Sequence, residues 1–120
     1  MIKSLTKPLN LFLSGYSYLR GSITGNVKIA GMPVAISTEL TNNCNLDCPE
    51  CLSGSGLMNR DRGFMDIELF DSLISEVGDY LYNINLYFQE EPMLHPFFFT
   101  FIERCRNINS VVSTNGHFLT

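Results

Sequence analysis

Two kinds of apolar spacing alternate from residue 34 to residue 113, and their order leaves few folds open. Val34, Ile36, Thr38 and Leu40 fall on one face of an extended segment, with Ala35, Ser37 and Glu39 on the other, so residues 34–40 are predicted as a strand. Ile67, Phe70, Leu73, Ile74 and Val77 then recur at helical spacing. Asp66 is placed to cap this helix, Met65 to pack back onto Phe70, and Gly78 to end it. A second strand follows over residues 83–88, with Ile84, Leu86 and Phe88 opposite Asn83, Asn85 and Tyr87. Pro96 suits the first turn of a second helix, whose stripe is Phe98, Phe101, Ile102 and Cys105. Residues 110–113 form a third, short strand, closed by the turn Thr114-Asn115-Gly116. The order strand, helix, strand, helix, strand implies an α/β fold with parallel strands and helical crossovers, a βαβαβ unit.

Folds of this kind bind ligands beyond the carboxyl ends of their strands. The three unusual segments all fall there: residues 41–63 after the first strand, 89–95 after the second and 114–116 after the third. The first is rich in Asn, Cys, Ser, Gly and charge, and loops of that length inside compact domains are usually functional.

With 120 residues, 45% hydrophobic and 17% charged, the chain is long enough for one modest globular domain with a core. The net charge is −4 and no run of Lys or Arg occurs, which excludes duplex binding by charge, so no nucleic acid is expected as a partner. No stretch approaches the roughly 20 apolar residues of a spanning helix.

Residues 1–31 read as an extension. Leu9, Phe12, Leu13, Tyr16 and Leu19 predict a short amphipathic helix, and Lys3, Lys7, Arg20 and Lys28 make this end basic. Packing on the domain of residues 32–120 is expected, with a membrane-surface anchor as the alternative. Gly21, Gly25 and Gly31 are expected to break the structure before Met32-Pro33. Lys3 and Lys7 ahead of residues 9–13 resemble a weak signal sequence. The apolar run is interrupted by Asn10 and stops at Ser14-Gly15, short of the ~7–15 residues of such a segment. A cytoplasmic location is the expectation. Thiols there stay reduced, and clustered cysteines serve metals or catalysis rather than disulfides.

The cysteines cluster in the first loop: Cys44-Asn45-Leu46-Asp47-Cys48-Pro49-Glu50-Cys51, a C-x-x-x-C-x-x-C pattern. Three thiolates so close can converge on one inorganic centre. A cuboidal four-iron cluster usually takes four cysteines, so three leave one iron open. An open position is what a reactive metal centre needs. Zinc would want a fourth ligand, from Cys105, His95 or His117. A redox pair at Cys48 and Cys51 would leave Cys44 without a role. Cys105, on a helix stripe, reads as a small buried hydrophobe.

The run from Thr41 through Cys51, with its Asn-Leu and Cys-Pro pairs, resembles the cluster loop of radical S-adenosylmethionine enzymes. Phe88-Gln89-Glu90-Glu91-Pro92-Met93-Leu94-His95-Pro96 resembles that family's second-strand loop, and Ser113-Thr114-Asn115-Gly116 its third-strand turn. The match runs from about Val34 onward and is closest in style to members with a second cysteine-rich extension, which often modify peptides. The resemblance implies the first half of a (β/α)6 partial TIM-type barrel with an N-terminal helical extension. It implies a 4Fe–4S cluster on Cys44, Cys48 and Cys51, and S-adenosylmethionine at the open iron. Reductive cleavage would then give a 5′-deoxyadenosyl radical that abstracts a hydrogen from an unknown substrate, with a peptide as one class. An external one-electron reductant is implied as a partner. By the same resemblance Glu91 meets the cofactor's ammonium, and Ser113 and Asn115 approach its carboxylate or ribose. A zinc-stabilised or degenerate cluster-binding module without catalysis is the alternative.

Two departures stand out. Glu90 occupies a position where the family has Gly, so a strained loop or an altered cofactor pose is expected. Glu50 stands where many members have an aromatic residue. A six-unit barrel would need roughly 200 residues at about 30 per strand–helix unit. The expectation is a fragment, or one half of an assembly completed by a complementing C-terminal half.

Overall fold

The computed structural model describes residues 3–119. Three short strands, β1 (Ala35–Ser37), β2 (Asn83–Asn85) and β3 (Asn109–Val111), form a parallel sheet in the order β1-β2-β3. Ile36 is in register with Ile84, and Ile84 with Ser110. Helix α2 (Ile67–Val77) connects β1 to β2, and α3 (Phe98–Arg104) connects β2 to β3. The expected α/β alternation and parallel pairing are both present.

The apolar stripes meet as their spacing requires. Phe70 of α2 and Phe101 of α3 pack edge to face, with ring centroids 4.8 Å apart. They close over Ile84, Leu86, Leu81 and Leu40, all fully buried. The opposite face of the sheet is polar. Asn109 donates to Asn83, Asn83 to Asn85, and Asn85 to Ser37, so a side-chain ladder crosses all three strands. Alternation of period two therefore separates a hydrophobic face from a hydrogen-bonding one.

Regular pairing is shorter than expected. The ladder continues outside the strands through single bonds, from Tyr82 N–H to the Val34 carbonyl and from Thr38 N–H to the Asn85 carbonyl, each at 2.8 Å. Phe88 does not join the buried face and is 67% exposed. The chain turns away there, because the Glu90 carboxylate takes the N–H groups of Phe88 and Gln89.

Asp66 sits at the α2 N-cap in extended conformation, but its side chain makes no capping bond. Met65 does pack against the core, as the predicted contact with α2 requires. The cap of α3 differs from the expected Pro96 start. Phe97 is the N-cap residue, and its N–H donates to Nδ1 of His95 at 3.0 Å.

The extension holds a longer helix than expected, α1 (Lys3–Thr24), which runs through Gly21. It ends at Gly25, whose φ of +67° suits a glycine and whose N–H returns to the Gly21 carbonyl at 2.9 Å. The expectation that the apolar stripe of α1 packs on the domain is not met: Leu9, Phe12, Tyr16 and Leu19 are exposed. Polar residues hold the helix instead. Asn10 is buried and exchanges two hydrogen bonds with the Met32 backbone. No described helix is long and apolar enough to cross a membrane.

Candidate functional site

The loop that leaves β1 is closed at its base before it wraps. Thr41 and Phe64 form an antiparallel bridge, and the Thr41 hydroxyl donates to the Gly63 carbonyl at 2.6 Å. Asn42 is buried. Its side chain accepts from Gly63 N–H at 2.7 Å and donates to the Asp61 carbonyl at 2.7 Å. Arg62 reaches across, its guanidinium donating to the Asn42 and Ser53 carbonyls. These contacts pin both ends of a segment that contains no helix or strand. Loop composition alone did not single out Arg62 or Asn42 for this role.

Within the segment the chain folds back on Cys48. The Cys51 N–H donates to the Cys48 carbonyl at 3.2 Å, and Ser55 N–H to the Cys51 carbonyl at 2.8 Å. Gly54 lies so close that an added Cβ would stand 2.6 Å from Cys48 N and 2.9 Å from Cys48 O. Only a residue without Cβ lets the two strands of this turn touch. Cys48 is exposed, and Cys44 and Cys51 are half-buried. All three are free thiols. Their side chains are not drawn together: among the described residues no group of three or more His, Cys, Asp or Glu is arranged to hold a metal ion.

The donor set still fits a three-thiolate centre. The thiols are reachable and share one wrapped turn. The hydroxyl oxygens of Ser53 and Ser55, just after Cys51, are buried without a partner among the described residues. Such orphaned hydroxyls are suited to a group that accepts hydrogen bonds at that spot.

Two of the three candidates for the fourth ligand of a closed zinc site, Cys105 and His95, are committed elsewhere. Cys105 lies in the core, and burial pushes its thiol up to about 11. His95 is buried. With Nδ1 accepting from Phe97 and Nε2 donating to the Met65 carbonyl at 3.0 Å, both ring nitrogens are used. Its ring also packs edge-on against Phe64 and Phe101. Nδ1 of His95 thus serves the N-terminus of α3. His117 is exposed on the turn after β3.

The loop after β2 and the turn after β3 meet the cysteine loop directly. Glu91 N–H donates to the Asn43 carbonyl at 3.0 Å. The Glu91 carboxylate is fully buried and takes three donors. Oε1 accepts from Met93 N–H at 3.1 Å and the Thr114 hydroxyl at 2.8 Å, and Oε2 accepts from Asn115 N–H at 2.7 Å. Asn115 Nδ2 then donates to Asn45 Oδ1 at 2.8 Å, which returns the network to the cysteine loop. Gly116, at φ +79°, turns the chain so that its N–H meets the Thr114 hydroxyl. A buried carboxylate is tolerated only when hydrogen-bonded in this way. Thr114, bonded to Glu91, and Asn45, bonded to Asn115, belong to this network although spacing did not mark them as site residues. Ser113 is exposed at the rim and makes no hydrogen bond among the described residues.

Glu90 is not strained. No described residue other than glycine has positive φ, so the expected left-handed position is absent. Its Oε2 accepts from Gln89 N–H at 2.7 Å and Phe88 N–H at 2.9 Å. Burial raises its pKa, opposed by backbone hydrogen bonds and reinforced by the negative charge of Glu39. Beside it the Cys51 thiol donates to the Gln89 carbonyl at 3.6 Å. A cleft of about 440 Å³ opens there between Leu52, Leu57, Met58, Phe88 and Gln89.

No family model matches the chain, and no curated protein does. Solved structures do. The chain is similar to BtrN in complex with AdoMet and 2-DOIA, with 27% identity, a TM-score of 0.65 and 74% of this chain covered. It is similar also to selenomethionine BtrN in an open conformation, with 26% identity, a TM-score of 0.62 and 76% of this chain covered. The chain spans less than half of those BtrN chains, 38% and 42%. This likeness supports the radical S-adenosylmethionine superfamily, to which the three sequence motifs also point.

Proposed function

We propose that Cys44, Cys48 and Cys51 hold a 4Fe–4S cluster with one iron open to S-adenosylmethionine, and that the chain contributes this centre to a radical enzyme. The observation that carries it is the hydrogen-bonded ring Asn43–Glu91–Asn115–Asn45, which gathers all three strand-end segments around the cysteine turn. The AdoMet named with BtrN supports the cofactor. When bound, the pair supplies reductive cleavage of the sulfonium and hydrogen abstraction from a substrate.

The residues of the chain position and enclose. Gly54 lets the turn close on Cys48, and Arg62 fixes its base. Ser53 and Ser55, just after Cys51, hold buried hydroxyls without partners, free to donate to a bound cluster. Glu91 has one acceptor position left on Oε2 after its three bonds, the place for the cofactor's ammonium once the site opens. Asn115 and the exposed Ser113 form the rim that meets its carboxylate or ribose. An external one-electron reductant, a substrate that includes peptides as one class, and a complementing second half of the barrel complete the proposal.

Anaerobic reconstitution with iron and sulfide tests it. The expected result is a brown protein whose reduced EPR signal changes on adding S-adenosylmethionine. A cluster indifferent to the cofactor would favour a second reading, a cluster-binding module without cleavage, for which the complete burial of Glu91 speaks. One zinc and no sulfide in the purified protein would sink both.

A further inference from the structure

Helix α1 is amphipathic, but it is docked by its polar side. Asn10 holds Met32, the Ser17 hydroxyl accepts from Ala30 N–H at 2.9 Å, and Gly21 lies against Val27. The segment that folds back after Gly25 thus covers the polar face. Leu5, Leu9, Phe12, Tyr16, Leu19 and Ile23 recur every three or four residues and form one stripe on the other side. Every one of them is more than half exposed, from 53% at Tyr16 to 74% at Ile23. At 1.5 Å per residue the helix is about 33 Å long, so this is an extended apolar strip in water.

Charge decides what covers it. The first acidic residue of the chain is Glu39; before it stand Lys3, Lys7, Arg20 and Lys28. Lys7 is turned onto the domain, donating to the Asn107 carbonyl at 2.7 Å beside the Tyr82 ring, which leaves Arg20 and Lys28 for an outside partner. The rest of the chain carries the other four basic residues and all twelve acidic ones. Two copies of α1 packed face to face would bring like charges together with no acid to pair them. Anionic headgroups supply the missing sign, and Phe12 and Tyr16 suit the boundary between headgroup and acyl chain. The helix does not meet the requirements for crossing a bilayer.

We propose that α1 lies in the surface of an anionic membrane, its Leu5-to-Ile23 stripe in the acyl boundary, with Arg20 and Lys28 among the headgroup phosphates. This places the cysteine loop's domain at a lipid surface, and it is independent of what the cysteines bind.

The full chain is sedimented with phosphatidylcholine–phosphatidylglycerol vesicles and with phosphatidylcholine vesicles alone. It is expected to pellet with the first, to do so less as salt rises, and to stay in solution with the second. Arg20→Gln with Lys28→Gln should weaken the partition by about fivefold per cation removed. Phe12→Glu with Leu19→Glu should abolish it while leaving the melting curve unchanged, because both side chains are exposed. Absence of the chain from the anionic pellet overturns the proposal. So does full binding by the double-Glu variant. A dimer seen by light scattering that the double-Glu variant dissolves, with no vesicle binding, overturns it in favour of a second copy.

Discussion

The main-chain N–H of Asn115 lies 2.7 Å from Oε2 of Glu91, and the Asn115 side chain lies 2.8 Å from Asn45, so one residue ties the turn after β3 to both other strand-end loops. Glu91→Gln keeps the shape and puts an NH2 group where an oxygen faces N–H or O–H donors. A buried donor is then left unpaired, and the loss should be about 1–3 kcal/mol, read as a lower urea midpoint with unchanged slope. Asn115→Ala keeps the main-chain N–H and removes two exposed side-chain bonds, the one to Asn45 and the one from His117 N–H. It should cost less than about 1 kcal/mol and show instead as faster amide exchange in the cysteine turn.

The four cysteines should separate into two classes. Cys44→Ala, Cys48→Ala and Cys51→Ala are each expected to lose bound iron and sulfide after anaerobic reconstitution, with little change in the stability of the cluster-free chain. Cys105→Ala should do the reverse. It keeps the metal content and loses about 1–3 kcal/mol, because its thiol fills core space beside α3. Iron analysis and urea titration on the four variants distinguish the classes.

The strand–helix alternation was legible because each apolar face here is buried against something in the same chain. Ile36 with Ile84 and Phe70 with Phe101 meet as period and order require. Helix α1 broke that rule. Its stripe predicted packing, yet polar side chains do the docking: Asn10 and Ser17 bond to the Met32 and Ala30 backbone, and Lys7 to the Asn107 carbonyl. The candidate site was legible as three segments, because parallel strands bring their carboxyl ends together. The joints between them were not. Thr114 to Glu91 and Asn115 to Asn45 span 23 and 70 residues, and no local spacing encodes such pairs. The strain expected at Glu90 is absent for a related reason. Its side chain caps Phe88 and Gln89, a role that makes the glycine geometry unnecessary.

Glu90 should give the cluster-free chain a distinct pH dependence. Burial, with the charge of Glu39, raises its pKa above the ordinary value of 4.5. A carboxyl that binds its proton more tightly when folded makes the folded state hold more protons than the unfolded one. Stability then falls as pH rises from 4.5 through the folded value, and the contribution is fully present only below 4.5. Glu90→Gln removes this decline, and its carbonyl oxygen can still accept from Phe88 and Gln89. Urea midpoints across that range should show the variant gaining on the parent chain as pH rises. Parallel curves would assign the decline to another group.

Gly54 offers the sharpest test of whether the shape of the turn, and not merely its thiols, builds the centre. An added methyl would stand 2.6 Å from Cys48 N, 2.9 Å from Cys48 O and 3.0 Å from Leu46 O. All three are backbone atoms, so no rotamer can relieve the contact, and the turn must open. The cysteines stay in sequence but lose their common wrap. Gly54→Ala should therefore lower cluster occupancy with every cysteine intact. The core around Phe70 and Phe101 lies elsewhere and should keep its cooperative unfolding, with a cost of about 1–3 kcal/mol from overpacking. Gly56→Ala is the control: Gly56 has open space around it but a φ of +74°, so its cost is conformational and involves no contact with Cys48. If both variants reconstitute as fully as the parent chain, the close approach at Cys48 does not matter to the centre. A loss confined to Gly54→Ala would tie metal binding to the backbone packing of the turn.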